Sequence, residues 1–320
     1  MNLALIGYGN VGRAFARLIE NKRSQFPFRI VAIHTARHGT AFDPRGLPFE
    51  PAFGPAAASV EEFLDRSRAE VVLELSPLSP SDGEPAISHI RAAFARGLHV
   101  VTANKGPVAH AYADLHAEAL QSGVEFRFES IVMDGAPVFN MARASLQGTV
   151  VQGFTGVLNS TSNVIIEAME RGLSLEDGIA EARRIGIAEA DPSYDIDGWD
   201  SAAKTAALAN VLMDARTNPL AVETRGIRRL TPEKLAGLKA TGKTIRLISR
   251  AHRGKDGLKL RVRAEVLDVT DPLASARATS NILLLHTDLM GTVGTVEMDP
   301  GVHQTAYGLL SDLIDIARTA

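Results

Sequence analysis

The sequence of 320 residues contains no cysteine. That excludes disulfide bridges, thiolate nucleophiles and thiolate-ligated metals, and it fits a reducing compartment. Net charge is also scarce, formally -3 at pH 7, so no basic surface for nucleic acid is implied. No stretch reaches the roughly 20 apolar residues that would span a bilayer. Nor is there a charged start followed by a removable apolar segment, because the first strand-like run begins at Asn2 and leads directly into a glycine motif. Internal repeats, low-complexity tracts and long linkers are absent as well. These absences leave an ordinary globular protein without nucleic-acid or membrane partners, expected in the cytoplasm.

The length exceeds that at which single cores tend to split, so two closely joined domains are expected. Up to about residue 130, short β-rich runs (NLALI, RIVAIH, EVVLEL, HVVTA, VEFRFE) alternate with amphipathic or alanine-rich stretches. This is the rhythm of a parallel sheet wrapped by helices. Ser59 with Glu62 and Ser174 with Asp177 read as helix starts, and Gly97 as a helix stop. Beyond residue 130 the rhythm changes. VVQGFTGVL, GLKLRVRAEVLDV and NILLLHTDLMGTVGTVEM read as strands around several helices, and the segment from Gly301 to Ala320 as a final helix. The expected architecture is α/β. A Rossmann domain over residues 1–130 has the closing helix 301–320 packed back on it, and residues 131–300 form a mixed α/β domain for substrate binding and dimerisation.

Residues 7–12 read GYGNVG, immediately after a strand and before the helix-like VGRAFARLIE. In that setting Gly7 permits a tight turn, Gly9 lets a pyrophosphate approach the backbone, and Gly12 allows the helix to pack on the strand. A turn that merely connects strand to helix is the plainer alternative. The second strand ends in HTARHG, without the acid that usually holds a ribose 2'-hydroxyl. Arg37 and His38 stand there instead. A guanidinium suits a 2'-phosphate, which favours NADP(H) and leaves NAD(H) as the alternative, with a solvated loop arginine as the plain reading.

Two further stretches carry lysines. TANKGP places Lys105 just past the carboxyl end of a parallel strand, where open α/β sheets bind ligands, although a single loop lysine is usually a surface residue. EADPSYDIDGWDSAAK, from Glu189 to Lys204, holds five acids before one lysine. Asp200 and Lys204 lie one turn apart if a helix starts near Gly198. Spacing alone favours an exposed ion pair worth a few tenths of a kcal/mol.

TANKGP at 102–107, GVLNSTSN at 156–163 and GIAEADPSYDIDGWDSAAK at 186–204 occur in that order behind GYGNVG, with QTAYGLLSDL near the carboxyl end. Together they resemble the signatures of homoserine dehydrogenases, over nearly the whole chain. The resemblance implies interconversion of aspartate 4-semialdehyde and homoserine, with Lys204 as proton donor to the aldehyde oxygen and Lys105 between nicotinamide and substrate. It implies Glu189 and Asp200 as substrate-holding acids. It adds Asn10, Val11, Ser76, Lys105, Gly186 and Gly301 to the cofactor contacts and a homodimer to the assembly. The chemistry asks for such a set: a developing alkoxide needs a proton donor or cation, the amino group a carboxylate, and the carboxylate a cation. Which lysine holds the substrate carboxylate stays open. GVLNSTSN reads as the turn and cap of a helix, positioning backbone.

Many members of that family bind a monovalent cation through a glycine-rich E-x-x-V-G-G-G-x-P segment. Here Glu129–Pro137 reads ESIVMDGAP, with Met133 and Asp134 replacing two glycines. A sodium-like site is assigned to Glu129, Val132, Asp134 and Ala136. Since the chain stops soon after the closing helix, feedback through an appended regulatory domain is not expected. Two other functions are compatible with the nucleotide motif: another small NAD(P)-dependent amino-acid dehydrogenase, and a catalytically silent NADP-binding sensor.

Overall fold

A computed structural model describes residues 1–319, so Ala320, the last residue of the expected closing helix, lies outside the described residues. The chain divides into two compact units, Met1–Asn140 with the segment from Gly301 onward, and Met141–Pro300. Among the described residues no helix is long and apolar enough to cross a membrane.

The first unit runs β1 (Asn2–Ile6), α1 (Asn10–Asn21), β2 (Arg29–Thr35), β3 (Gly39–Phe42), α2 (Val60–Ser67), β4 (Val71–Glu74), α3 (Ala86–Phe94), β5 (His99–Thr102), α4 (Lys105–Ser122) and β6 (Phe126–Arg127). Its sheet has the order β3-β2-β1-β4-β5-β6, parallel except for β3. The order reverses between β1 and β4, whose carboxyl ends are the place where such sheets bind ligands. Leu3, Ala4, Leu5, Val71, Val72, Leu73, Val100 and Val101 have no exposed surface, as expected for strands covered on both faces. β3 went unread because it is four residues long and closes a tight hairpin on β2. Ser59 caps α2 through the Glu62 N–H, but the Glu62 carboxylate reaches the N–H of Ala58, so the box is not reciprocal.

The closing helix (Val302–Thr319) completes this core. Its buried residues Ala306, Leu309, Leu310, Leu313 and Ile316 recur at helical spacing and join Leu3, Leu5, Phe15, Ile19 and Leu73 in one cluster. The unit ends later than the expected boundary at residue 130 because Glu129 draws the following turn onto itself. Its Oε1 accepts from the N–H groups of Val138 (2.5 Å) and Phe139 (3.0 Å), and its Oε2 from Asn140 (2.6 Å).

The second unit follows from α5 (Phe139–Ser145), in which the division falls. It contains β7 (Val151–Val157), α6 (Ser160–Glu170), α7 (Leu175–Arg184), α8 (Ser193–Ile196), α9 (Trp199–Met213), β8 (Glu223–Arg225), α10 (Pro232–Lys239), β9 (Lys243–Gly254), β10 (Gly257–Asp268), β11 (Asn281–Thr287) and β12 (Thr292–Glu297). The sheet order is β12-β11-β7-β9-β10-β8, antiparallel except where β8 meets β10. Ser174 and Asp177 form the reciprocal box that starts α7. The long strand β9 was hidden in the sequence by its basic residues. Arg246 is 1% exposed and stays inside because Nε donates to Ala276 O (2.8 Å), Nη1 donates to Ile245 O (2.7 Å), and Glu170 supplies countercharge at 3.3 Å.

Leu313 has no exposed surface and belongs to the central cluster of the first unit. Leu313→Ala should therefore destabilise the fold by about 2–5 kcal/mol, measured as a lowered urea midpoint. An unchanged midpoint would show that the closing helix does not support the core.

Candidate active site

Three glycines of the first βα turn have separable duties. Gly7 has φ +106, and a Cβ there would lie 2.4 Å from Leu75 O. At Gly12 a Cβ would come within 3.0 Å of Gly7 O, so helix and turn touch through hydrogen. Gly9 faces open space, with nothing within 4 Å of its Cβ position, and caps α1 without any side-chain hydrogen bond. The first N–H groups of the helix are thus left to an anion that can come close. Asn10 and Val11 begin that helix.

Val11, Ser76 and Lys105 line one cavity of about 130 Å³ with Leu75, Leu78, Ala103 and Asn104. Two residues that sequence reasoning missed shape it. Glu74 is fully buried at the end of β4 and accepts from the Ser76 N–H (3.1 Å) and hydroxyl, while His89 lies 3.3 Å away. Asn104 caps α4 by accepting from the Gly106 N–H at 3.0 Å and donates to Ser76 O at 3.2 Å. A carboxylate ending an apolar strand and an asparagine before Lys-Gly were the available signals. Arg37 lies exposed in the turn after β2 and makes no ion pair or hydrogen bond with the described residues. His38 instead packs its ring 5.8 Å from that of Phe53. Gly301 belongs to this unit and Gly186, at φ +81 after α7, to the other.

The lysine and acids of the second unit are set by a corner. Gly198 has φ +88 and caps α9, which brings Asp200 and Lys204 onto one face with Nζ 3.2 Å from Oδ2. The same ammonium donates to Leu158 O at 2.7 Å. The side chains are only 16% and 12% exposed, which corrects the reading of the pair as a solvated surface bridge. An exposed pair contributes a few tenths of a kcal/mol, whereas breaking a fully buried one costs about 3–5 kcal/mol; this pair lies toward the buried end.

Asn159 and Asp195, also unanticipated, complete the cluster. The Asn159 amide donates to Asp195 Oδ1 (2.7 Å) and Asp200 Oδ2 (3.0 Å). Burial pushes the Asp195 carboxyl above its ordinary range, Asp200 pushes it further, and the Asn159 bond and Lys204 oppose them. Tyr194 is pushed up by burial and then by both acids, so its hydroxyl stays protonated. Glu189 is not drawn in. It is exposed in the loop before α8, where its main-chain carbonyl accepts from Arg183 at 3.3 Å. The arrangement offers an ammonium with an attached carboxylate, suited to donate a proton to, or stabilise, an oxygen gaining negative charge.

Comparison with known proteins gives this arrangement its context. Residues 7–129 match the family described as homoserine dehydrogenase, NAD binding domain, and residues 137–314 match the homoserine dehydrogenase family itself. The chain belongs to the homoserine dehydrogenase family. It is accordingly an NAD(P)-dependent oxidoreductase acting on a CH–OH group. It is 35% identical to an NAD(+)-dependent homoserine dehydrogenase of Pseudomonas canavaninivorans, the alignment covering 99% of this chain and 96% of the relative. It is 36% identical to a homoserine dehydrogenase of Methanocaldococcus jannaschii, covering 99% and 98%. A hyperthermophilic archaeal homoserine dehydrogenase mutant in complex with NADPH superposes with a TM-score of 0.84 at 27% identity, over 100% of this chain and 98% of that one.

As a homoserine dehydrogenase family member the protein departs at Met133 and Asp134, and the structure shows how the turn accommodates them. Asp134 adopts φ +46, the region a glycine would take freely, and its carboxylate accepts from the Thr305 hydroxyl at 2.7 Å. Gly135 has no substitute, since its Cβ would lie 2.1 Å from Gln304 O. No cluster of three His, Asp or Glu side chains able to hold a metal occurs among the described residues.

A raised carboxyl pKa in the fold gives stability that is full below the unfolded-state value and is lost as pH rises through the raised value. Asp195→Asn removes that ionisation. The variant should match wild type near about pH 4 and gain on it toward about pH 7 in urea midpoints. A parallel pH dependence of the two proteins would mean that Asp195 is not held above its ordinary range.

Proposed function

We propose that the protein interconverts L-aspartate 4-semialdehyde and L-homoserine with NADP(H) as preferred cofactor, serving threonine and methionine synthesis in the cytoplasm as a homodimer. The observation carrying this reading is the largely buried Lys204 ammonium, held by Asp200 and the Leu158 carbonyl at the start of α9. When bound, the nicotinamide supplies the hydride. Lys204 then delivers a proton to the aldehyde oxygen as charge develops on it, and Asp200 keeps the ammonium aimed. Asp200 holds the substrate amino group; Glu189, exposed in the loop before α8, is assigned to the same group by the family resemblance alone. Lys105, at the first turn of α4, serves as the second cation of the reaction.

The residues of the first unit fit a dinucleotide: the uncapped start of α1, the open space over Gly9 and the cavity at Val11, Ser76 and Lys105. Gly7, Gly12, Asn10, Gly186 and Gly301 complete the proposed contacts. Arg37 supports the NADP preference, being an exposed guanidinium without an ion pair at the end of β2, where no acid stands. The NAD(+)-dependent relative makes NAD(H) the competing outcome. A sodium-like ion is assigned to the main-chain oxygens of Glu129, Val132, Asp134 and Ala136. Val132 is buried, and its carbonyl accepts no hydrogen bond from the described residues. Exposed Val266, Leu289, Met290, Val296 and Met298 around the β10 and β12 region support dimerisation.

Purified protein should oxidise homoserine, followed at the nicotinamide absorbance. Lys204→Ala should lower kcat by about two orders of magnitude or more with cofactor affinity nearly intact. Unchanged turnover would return the pair to a structural bridge. Arg37→Ala should weaken NADPH binding far more than NADH binding; equal effects on both would sink the 2'-phosphate assignment.

A further inference from the structure

Asn159 lies in GVLNSTSN, which the sequence marks only as a helix cap. It is 3% exposed, and both ends of its side chain are occupied. Oδ1 accepts from the Ser162 N–H at 2.8 Å and caps α6. Nδ2 donates to two carboxylates on two other helices, Asp195 of α8 and Asp200 of α9. We propose that Asn159 is a positioning residue for the dehydrogenase reaction, tying Asp195 to Asp200 and so fixing the oxygen on which the Lys204 ammonium rests.

Capping alone does not account for the residue. An N-cap needs only an acceptor, and Ser, Asp and Asn serve nearly equally well. Of these three, only asparagine supplies that acceptor together with two N–H donors and no charge. The Asp200 oxygen that accepts from Asn159 is the one 3.2 Å from Lys204 Nζ, and the ammonium also donates to the carbonyl of Leu158, the preceding residue. The dipeptide Leu158–Asn159 therefore grips the acid–lysine pair from both sides.

Electrostatics gives the same requirement. Two carboxylates converge on one amide, with a single ammonium beside them. Such a pair repels and takes up a proton at higher pH unless donors hold both oxygens. The groups facing the pair are Tyr194 and Asp195 of α8, Asp200 and Lys204 of α9, and Thr161 of α6. Asp197 points elsewhere, paired with Arg228. The Asn159 amide, the Lys204 ammonium and the Thr161 hydroxyl favour the doubly ionised state that leaves Asp200 able to hold the lysine.

This inference rests on the assignment of Lys204 and Asp200 to the reaction, and the experiment separates the two. Asn159→Ser keeps an acceptor for the Ser162 N–H but removes the amide. Its NADP affinity should stay close to wild type, and its urea midpoint should fall modestly because two largely buried carboxylates lose a donor. Its kcat for homoserine oxidation should fall about tenfold or more, with the acid limb of the kcat–pH profile moved upward by about half a unit or more. Asn159→Asp, which caps equally well and turns a third carboxylate on the pair, should move the limb further. Wild-type kcat and profile in Asn159→Ser, with Lys204→Ala inactive, would overturn the role of Asn159 alone. A fall in rate matched by a fall in midpoint, with the limb unmoved, would also overturn it, since that pattern is structural. Full turnover in Lys204→Ala would overturn the site assignment and this inference together.

Discussion

An ammonium group kept largely out of water needs fixed partners, and the second unit is arranged around supplying them to Lys204. The carboxylate comes from one turn earlier in α9 and the carbonyl from Leu158 at the end of β7. Neither would be in place without the corner between α8 and α9. Gly198 turns the chain with a positive φ, and Gly226 presses so closely on it that a Cβ would lie 1.9 Å from Ile196 O. The following N–H, of Ile227, donates to that same carbonyl at 2.8 Å. The chain after β8 thus pins the corner, the corner starts α9, and α9 aims the lysine. Asn159 closes the arrangement from the start of α6.

The first unit solves a different problem, how to leave backbone donors unused without destabilising the sheet that carries them. Its strands are covered on both faces and its core includes the closing helix, so the turn after β1 can remain open. Gly7 and Gly12 bring the turn against β4 and α1, while Gly9 leaves space for an anion. Beneath Ser76 lies a fully buried carboxylate, Glu74, with Ser76, Thr102 and His89 around it. Glu129 does comparable work at the edge of the unit, gathering three N–H groups and holding the turn that contains Asp134.

Much of this was legible in the sequence because it rests on local rules. The glycine motif follows β1 and opens α1, the parallel strands read as apolar runs, and Gly198 starts the helix that carries Asp200 and Lys204. What was illegible depends on partners far along the chain. Spacing suggested an exposed ion pair at Asp200 and Lys204, but its burial is decided by Leu158 and Asn159, some forty residues earlier. Arg246 disguised β9 because nothing local says that Ala276 and Glu170 will receive its guanidinium. Glu189 shows the limit from the other side: a motif position that suggests a ligand does not fix where a loop side chain rests.

The role proposed for the Lys204 ammonium is to act on the substrate oxygen during hydride transfer. Its most direct test is a single-turnover measurement of nicotinamide oxidation by aspartate 4-semialdehyde in Lys204→Ala, with a small primary amine titrated in. Transfer should be slow and should recover with the concentration of the protonated amine. Transfer at the wild-type rate before any amine is added would contradict it.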